Sequence, residues 1–180
     1  MSQKHNLLVH IDAIYRSALY LTKNENNADD LVQETYLRAF KFLKDDKEIS
    51  NEKAWLFKIM TNTFINKYRK DKLEPSLVDF DSVEAFHASI QEEIMAPSIL
   101  EDESALDKLL DDNIKKALEA LPEDFRLVIL LSTVEGFSYK EISEMVNCPV
   151  GTVMSRIYRG RKMLKEKLAG YAKKYGYERE

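Results

Sequence analysis

Two sets of side chains in this sequence stand at spacings that suit recognition of nucleic acid. Trp55, Lys58, Asn62, Asn66 and Arg69 fall at offsets 0, 3, 7, 11 and 14, one face of a helix, and combine an indole, two cations and two amides. Asn amides pair bidentately with adenine N6 and N7, and an exposed Trp offers a stacking surface to a base. Asn is a middling helix former, so two of them one turn apart do little for stability. The competing reading is an amphipathic helix with Trp55 at the edge of its core. Between Lys53 and Lys72 there are six basic residues and one acid, Asp71. The second set is Thr152, Ser155, Arg156, Arg159 and Lys162, which lie off the apolar stripe Val153, Ile157, Gly160, Leu164 and Leu168. From Gly151 to Lys174 the chain carries eight basic residues and one acid, Glu166. Here the competing readings are a basic helix packed in a bundle or lying on a membrane surface.

Other chemistries find no residues to perform them. The five glycines are Gly136, Gly151, Gly160, Gly170 and Gly176, so no phosphate-cradling GxGxxG or GxxxxGK[ST] loop exists. His5, His10 and His87 form no HExxH, and no GxSxG occurs. Cys148, the single cysteine, rules out an internal disulfide and a CxxC metal cage. Its expected role is a small buried contact between two helices. No catalytic site, metal site or cofactor is expected, and no run approaches the 18 apolar residues of a membrane span. The start of the chain lacks the pattern of a secretion signal, and a cytoplasmic protein is expected.

The elements that must hold these residues read as helices throughout, giving an all-α expectation. Leu7, Ile11, Ile14, Ala18 and Leu21 mark a first helix over about 7–22. A second starts with Asn27 as cap and Asp29 and Asp30 in its first turn; its stripe is Val32, Tyr36, Ala39 and Leu43, with Gln33, Glu34 and Arg38 on a polar face. The third covers about 52–70, with Ala54, Phe57, Thr61, Phe64 and Tyr68 facing the core. Further on, Ile114, Ala117, Leu118 and Leu121 make a short helix, and Pro122 suits the first position of the next, which ends near Gly136. Ser138-Tyr139-Lys140-Glu141 is a capping box, with Phe137 and Ile142 placed as a hydrophobic staple. That helix runs to about Val146, Asn147-Cys148-Pro149 forces a turn, and a basic helix follows from about Val150 to Ala169. A short capped helix, a tight turn and a longer basic helix make a helix-turn-helix, whose second helix enters the major groove.

Charge divides the chain. Residues 1–74 hold 13 basic and 11 acidic side chains, residues 75–112 one and 11, and residues 113–180 13 and 9. Two small helical domains, 1–74 and 113–180, are therefore expected on either side of an acidic linker, 75–112. Within the linker Leu77–Phe86 alternates loosely, while Phe80, Val83, Phe86, Ile90 and Ile94 also suit a helical stripe. A transiently helical tether is expected, with occupation of a basic groove on a partner as the sharper alternative.

Ala28-Asp29-Asp30-Leu31-Val32-Gln33-Glu34-Thr35-Tyr36-Leu37-Arg38-Ala39-Phe40 resembles the signature of the extracytoplasmic-function sigma factors of bacterial RNA polymerase. Ala54-Trp55-Leu56-Phe57-Lys58-Ile59-Met60-Thr61-Asn62 resembles their promoter −10 helix. Leu121-Pro122, Gly136 to Ile142, and Cys148 to Val153 resemble their −35-binding domain. Thr61 to Asn66 with Tyr68-Arg69-Lys70 is most similar to the subgroup that answers thiol oxidation under a zinc-binding anti-sigma protein.

The resemblance implies an alternative sigma factor that binds core polymerase, recognises −35 and −10 elements and promotes strand opening. It implies that Asp29, Asp30, Gln33 and Glu34 meet the β′ clamp helices, that Trp55, Lys58, Asn62, Asn66 and Arg69 meet the −10 element, and that the loop at about 45–51 receives a flipped base. Thr152, Ser155, Arg156, Tyr158 and Arg159 are implied for the −35 element. The implied partners are core RNA polymerase through its β′ clamp helices and β flap, promoter DNA, and an anti-sigma factor of the zinc-binding, redox-responsive kind. Met154 departs from the Lys or Arg of many members, and Met60-Thr61 from their commoner small residues. The alternatives are a one-component helix-turn-helix regulator, which would bind palindromic duplex as a dimer, and an adaptor that binds only protein.

Overall fold

The computed structural model describes residues 6–43, 49–69 and 112–174, with the backbone alone for 68, 69, 112, 113 and 170–174. The linker readings, Leu77–Ile94 among them, and most of the 45–51 loop lie outside the described residues. All regular structure among the described residues is helical, as the sequence leads one to expect. By proximity the chain divides into two units, residues 1–78 with 140–148 and residues 79–139 with 149–180.

In the first unit a 3-10 turn, Leu7–His10, leads into α1, Ile11–Thr22. Lys23 stops α1 in the left-handed conformation, φ 58°, its N–H bonded to the Leu19 carbonyl at 2.8 Å. The next helix, α2, runs Glu25–Leu43 and so begins before the expected Asn27. Asn24 is the cap: its Oδ1 accepts the Asn27 N–H at 3.0 Å, and its carbonyl accepts the Ala28 N–H at 2.9 Å. The amide three residues before Asn27 satisfies a donor that Asn27 could not, and Asp29 and Asp30 consequently fall in the second turn. Asn51 caps α3, Glu52–Arg69, in the same way, through the Ala54 N–H at 3.0 Å.

These helices bury a shared core: Ile14, Ala18 and Leu21 of α1, Ala28, Leu31 and Ala39 of α2, and Leu56, Phe57, Met60 and Phe64 of α3. Complete burial of each large member contributes about 1.5–3 kcal/mol. Leu7 is buried too, and the Tyr36 hydroxyl donates to its carbonyl at 3.0 Å, pinning the 3-10 turn to α2. Burial, and secondarily Asp12, raises the Tyr36 pKa, which keeps the phenol protonated as a donor.

In the second unit α4, Asp112–Glu119, is followed by α5, Glu123–Ile129. Pro122 is the N-cap of α5 and not its first helical residue, because its ψ of 148° is extended. An unexpected π-helical turn, Leu130–Val134, continues α5. Glu135 N–H bonds five residues back to the Leu130 carbonyl at 3.1 Å, and Gly136, φ 74°, ends the helix. Leu127 to Leu131 are all buried, as in a helix that is apolar all round. Arg126 is buried with them, 1% exposed, and its Nη1 donates to the carbonyls of Glu119 (3.1 Å) and Leu121 (2.9 Å). Burial lowers its pKa, partly offset by Glu123 and Glu119. The cation thereby closes the C-terminal end of α4, where helix carbonyls lack intrahelical donors.

The next helix, α6, spans Tyr139–Val146 directly after Ser138, with Phe137, Ile142, Met145 and Val146 buried. Asn147 turns the chain at φ 53°. Ser143 Oγ donates to the Cys148 carbonyl at 2.7 Å, while the Cys148 N–H returns a bond to the Ser143 carbonyl at 3.2 Å. Cys148 is half-buried at this turn, less enclosed than expected. The Pro149 carbonyl receives the Thr152 and Val153 N–H groups, opening α7, Val150–Lys174, which extends past the expected end at Ala169. Val153 and Ile157 are buried on α7, and a Cβ on Gly160 would lie 3.0 Å from Ile129 Cγ1 and 3.4 Å from Phe125 Cβ. Gly160 therefore lets α7 lie close against α5, with little room for a side chain at that position.

Candidate nucleic-acid interface

The two stripes of α3 separate in part: Ala54 of the expected core stripe is half-buried, and the side chain of Tyr68 lies outside the described residues. Leu56, Phe57, Met60, Thr61, Thr63 and Phe64 are buried, whereas Lys58 and Asn66 are exposed and Trp55 and Asn62 half-buried. Arg69 is the last residue of α3, and its side chain lies outside the description. Trp55 meets Phe42 edge-on, ring centroids 6.4 Å apart at 83°, which fixes the indole without covering it fully. Phe42, Leu43, Ser50, Asn51, Trp55 and Lys58 line one concave surface together with Glu141, Glu144 and Met145 of α6. Its aromatic wall, cation and amide are groups that stack on and hydrogen-bond to an unpaired base, while Glu141 and Glu144 on the α6 side would repel a backbone phosphate. Met60 and Thr61 are completely buried, so the unusual residues there face the core and not the outer stripe.

On α2, Asp29, Asp30 and Gln33 are exposed and Glu34 is half-exposed, at offsets 0, 1, 4 and 5 on one face. Asp30 pairs with Lys67 of α3 at 3.5 Å and Glu34 with Arg38 at 2.7 Å. Both are surface pairs of the kind that adds under about 1 kcal/mol, so a partner can replace them. Leu37, 57% exposed, and Phe40, 47%, continue the same face, a feature the motif reading left out. It was detectable, since both residues fall off the Val32–Tyr36–Ala39–Leu43 stripe.

On α7 the expected recognition residues are not equivalent. Tyr158 is 55% exposed, while Thr152, Ser155 and Arg159 are half-buried. Ser155 Oγ donates to the Thr152 carbonyl at 3.0 Å, turning the hydroxyl back along the helix. The Arg156 side chain is only 13% exposed, and its Nη2 donates to Asp124 Oδ2 of α5 at 3.2 Å. No signal in the sequence linked Asp124 to α7, because the pair is 32 residues apart. No helix among the described residues is long and apolar enough to cross a membrane.

Comparison with known proteins adds to this geometry. A family model described as Sigma-70 region 2 matches residues 8–74, and one described as Sigma-70, region 4 matches residues 111–164. The chain is 32% identical to the ECF RNA polymerase sigma factor SigW of Bacillus subtilis over 161 residues, covering 89% of this chain and 85% of that protein. It is 34% identical over 166 residues to the ECF RNA polymerase sigma factor SigE of Mycolicibacterium smegmatis, covering 91% of this chain but 60% of the relative's length. The ECF RNA polymerase sigma-E factor of Escherichia coli strain K12 is 34% identical over 142 residues, 77% of this chain and 72% of that one. Among solved structures, the sigma factor RpoE in complex with the anti-sigma factor NepR from Bartonella quintana matches with a TM-score of 0.64 and 31% identity, covering 91% of this chain and 94% of that chain.

Proposed function

The chain belongs to the extracytoplasmic-function branch of the sigma-70 family, an alternative sigma factor for transcription initiation and not an enzyme, and from that premise we propose which of its surfaces meets which partner. Sigma factors bind core RNA polymerase and promoter DNA. In this chain the acidic face of α2, Asp29, Asp30, Gln33 and Glu34, takes the clamp helices of the β′ subunit. Leu37 and Phe40 supply apolar area beside those carboxylates, as in an interface with a hydrophobic centre and a polar rim. The α3 face, Trp55, Lys58, Asn62, Asn66 and Arg69, takes the −10 element and holds an unpaired base against its aromatic wall. Residues 113–180 form the domain that meets the β flap and reads the −35 element through Thr152, Ser155, Arg156, Tyr158 and Arg159.

The observation that carries this reading is the outward placement of Lys58 and Asn66 opposite a fully buried Phe57–Met60–Phe64 side. A helix needing only a solvated face has no use for a half-buried indole and two amides there. Strand opening then follows from differential binding. A base held by protein gains about 1–3 kcal/mol, offsetting a few kcal/mol of unstacking. No residue needs to make or break a covalent bond.

An anti-sigma protein completes the proposal, since the Bartonella quintana sigma factor is seen with one. The zinc-binding, redox-responsive kind rests on the resemblance of Thr61 to Asn66 with Tyr68-Arg69-Lys70. The working compartment is the cytoplasm, where polymerase and promoters meet. Run-off transcription by purified core polymerase on a promoter library, with and without this chain, tests the assignment. Transcripts should appear only with the chain present and share an asymmetric pair of elements. Transcripts that share no such pair would overturn it.

A further inference from the structure

A second helix takes hold of the charge of Arg156 on α7. Arg156 lies one turn before Gly160, where α7 lies close against α5, and Asp124 stands beside Phe125 on the α5 side of that seam. The carboxylate engages one guanidinium nitrogen, Nη2, in a single contact at 3.2 Å. A guanidinium carries five N–H donors in a rigid fork. The Asp124 contact engages one of those nitrogens, and the side chain keeps a small open surface. A side chain 13% exposed cannot extend to base edges at the floor of a groove some 8.5 Å deep. It can meet a phosphate at the groove's rim.

We propose that Asp124 is a positioning residue that holds Arg156 at the α5–α7 seam as a clamp for a backbone phosphate of the −35 element. This rests on the −35 reading of α7 given above and divides that helix by task. Arg156 fixes register through the backbone, while Tyr158 and Arg159, further round the helix, meet the bases. Phosphate contacts set register and orientation, and base contacts carry sequence information. The carboxylate opposes phosphate binding by its own charge. Its favourable effect is to keep a long side chain in one geometry before DNA arrives, so less side-chain entropy is lost on binding.

The test uses holoenzyme reconstituted from core polymerase and the full chain, with duplexes carrying a fixed −10 element and single-base changes through the −35 element. Arg156→Ala should weaken binding by a similar factor on every duplex and lower the slope of log K against log salt by about 1. Asp124→Asn should weaken binding about three- to tenfold, again evenly across duplexes, although it removes a negative charge near DNA. In an Arg156→Ala background, Asp124→Asn should change nothing further. Melting of the second unit, followed by hydrogen exchange, should move little in Asp124→Asn. Relaxed discrimination at one base pair in Arg156→Ala would overturn the phosphate assignment. Tighter binding by Asp124→Asn would show that Asp124 withholds Arg156 and would overturn the positioning role. If wild-type holoenzyme itself ignores every −35 change, the −35 reading has failed. If it discriminates while both variants behave as wild type, only this inference has.

Discussion

Asn66 and Arg126 are both polar residues on helices with large apolar neighbours, and their surroundings give them opposite work. Asn66 is exposed on α3, so truncating it leaves the Phe57–Phe64 packing intact. Asn66→Ala should reduce transcription from −10-containing promoters about tenfold while core binding, followed by co-sedimentation, stays normal. An equal loss of core binding would show that this face is structural. Arg126 is enclosed and serves two carbonyls at the α4–α5 connection. Arg126→Met keeps the volume but leaves those acceptors unpaired, at a cost of about 2–4 kcal/mol. Hydrogen exchange should accelerate over α4 and α5 before it changes in α1–α3; uniform acceleration would contradict a local role. Spacing alone revealed the polar face of α3. It could not reveal the burial of Arg126, because a cation in an apolar run looks the same whether it leaves the core or is satisfied within it.

At the scale of elements, apolar period and capping chemistry made most of the helices legible. Two boundaries shifted by one to three residues for local reasons: Asn24 caps α2 through the Asn27 N–H, and Pro122 precedes α5 with an extended ψ. The π-helical turn at Leu130–Val134 had no signature, since a run of buried aliphatic residues fits one hydrogen-bond register as well as another. The α5–α7 seam was only half visible. Gly160 fell on the apolar stripe, but the tightness of the approach depends on Ile129 and Phe125, 31 and 35 residues earlier in the chain. Gly160→Leu should force that seam apart at a cost of about 1–3 kcal/mol. Since Arg156 sits one turn away, binding to the −35 element should fall with stability. Thermal melting and duplex binding on the same variant check this, and unchanged melting would contradict the packing described.

For the whole molecule, the charge distribution matters more than its sum. A net charge of −4 alone argues against nucleic acid, yet the acids concentrate in residues 75–112 and the bases flank them. The chain by itself should bind DNA weakly, with affinity supplied when polymerase holds both units in place. Asp30→Arg tests the polymerase side. Asp30 is 63% exposed and its pair with Lys67 is dispensable, so the variant should fold normally. Its affinity for core polymerase should drop at least tenfold, because like charges brought together at an interface cost several kcal/mol. Normal co-purification with core would contradict the assignment of α2. The roles of individual site residues were legible only through resemblance, since burial and spacing identify an available face without naming what covers it.

The most direct measurement is strand opening on duplex promoters, followed by permanganate reactivity of unpaired thymines with core polymerase and this chain. Four templates suffice: both elements intact, either one scrambled, and neither. Reactivity should appear around −10 only with core polymerase and the chain together, strongest with both elements and sharply reduced when either is scrambled. Opening that persists with both elements scrambled, or that the chain produces without core polymerase, would contradict the account.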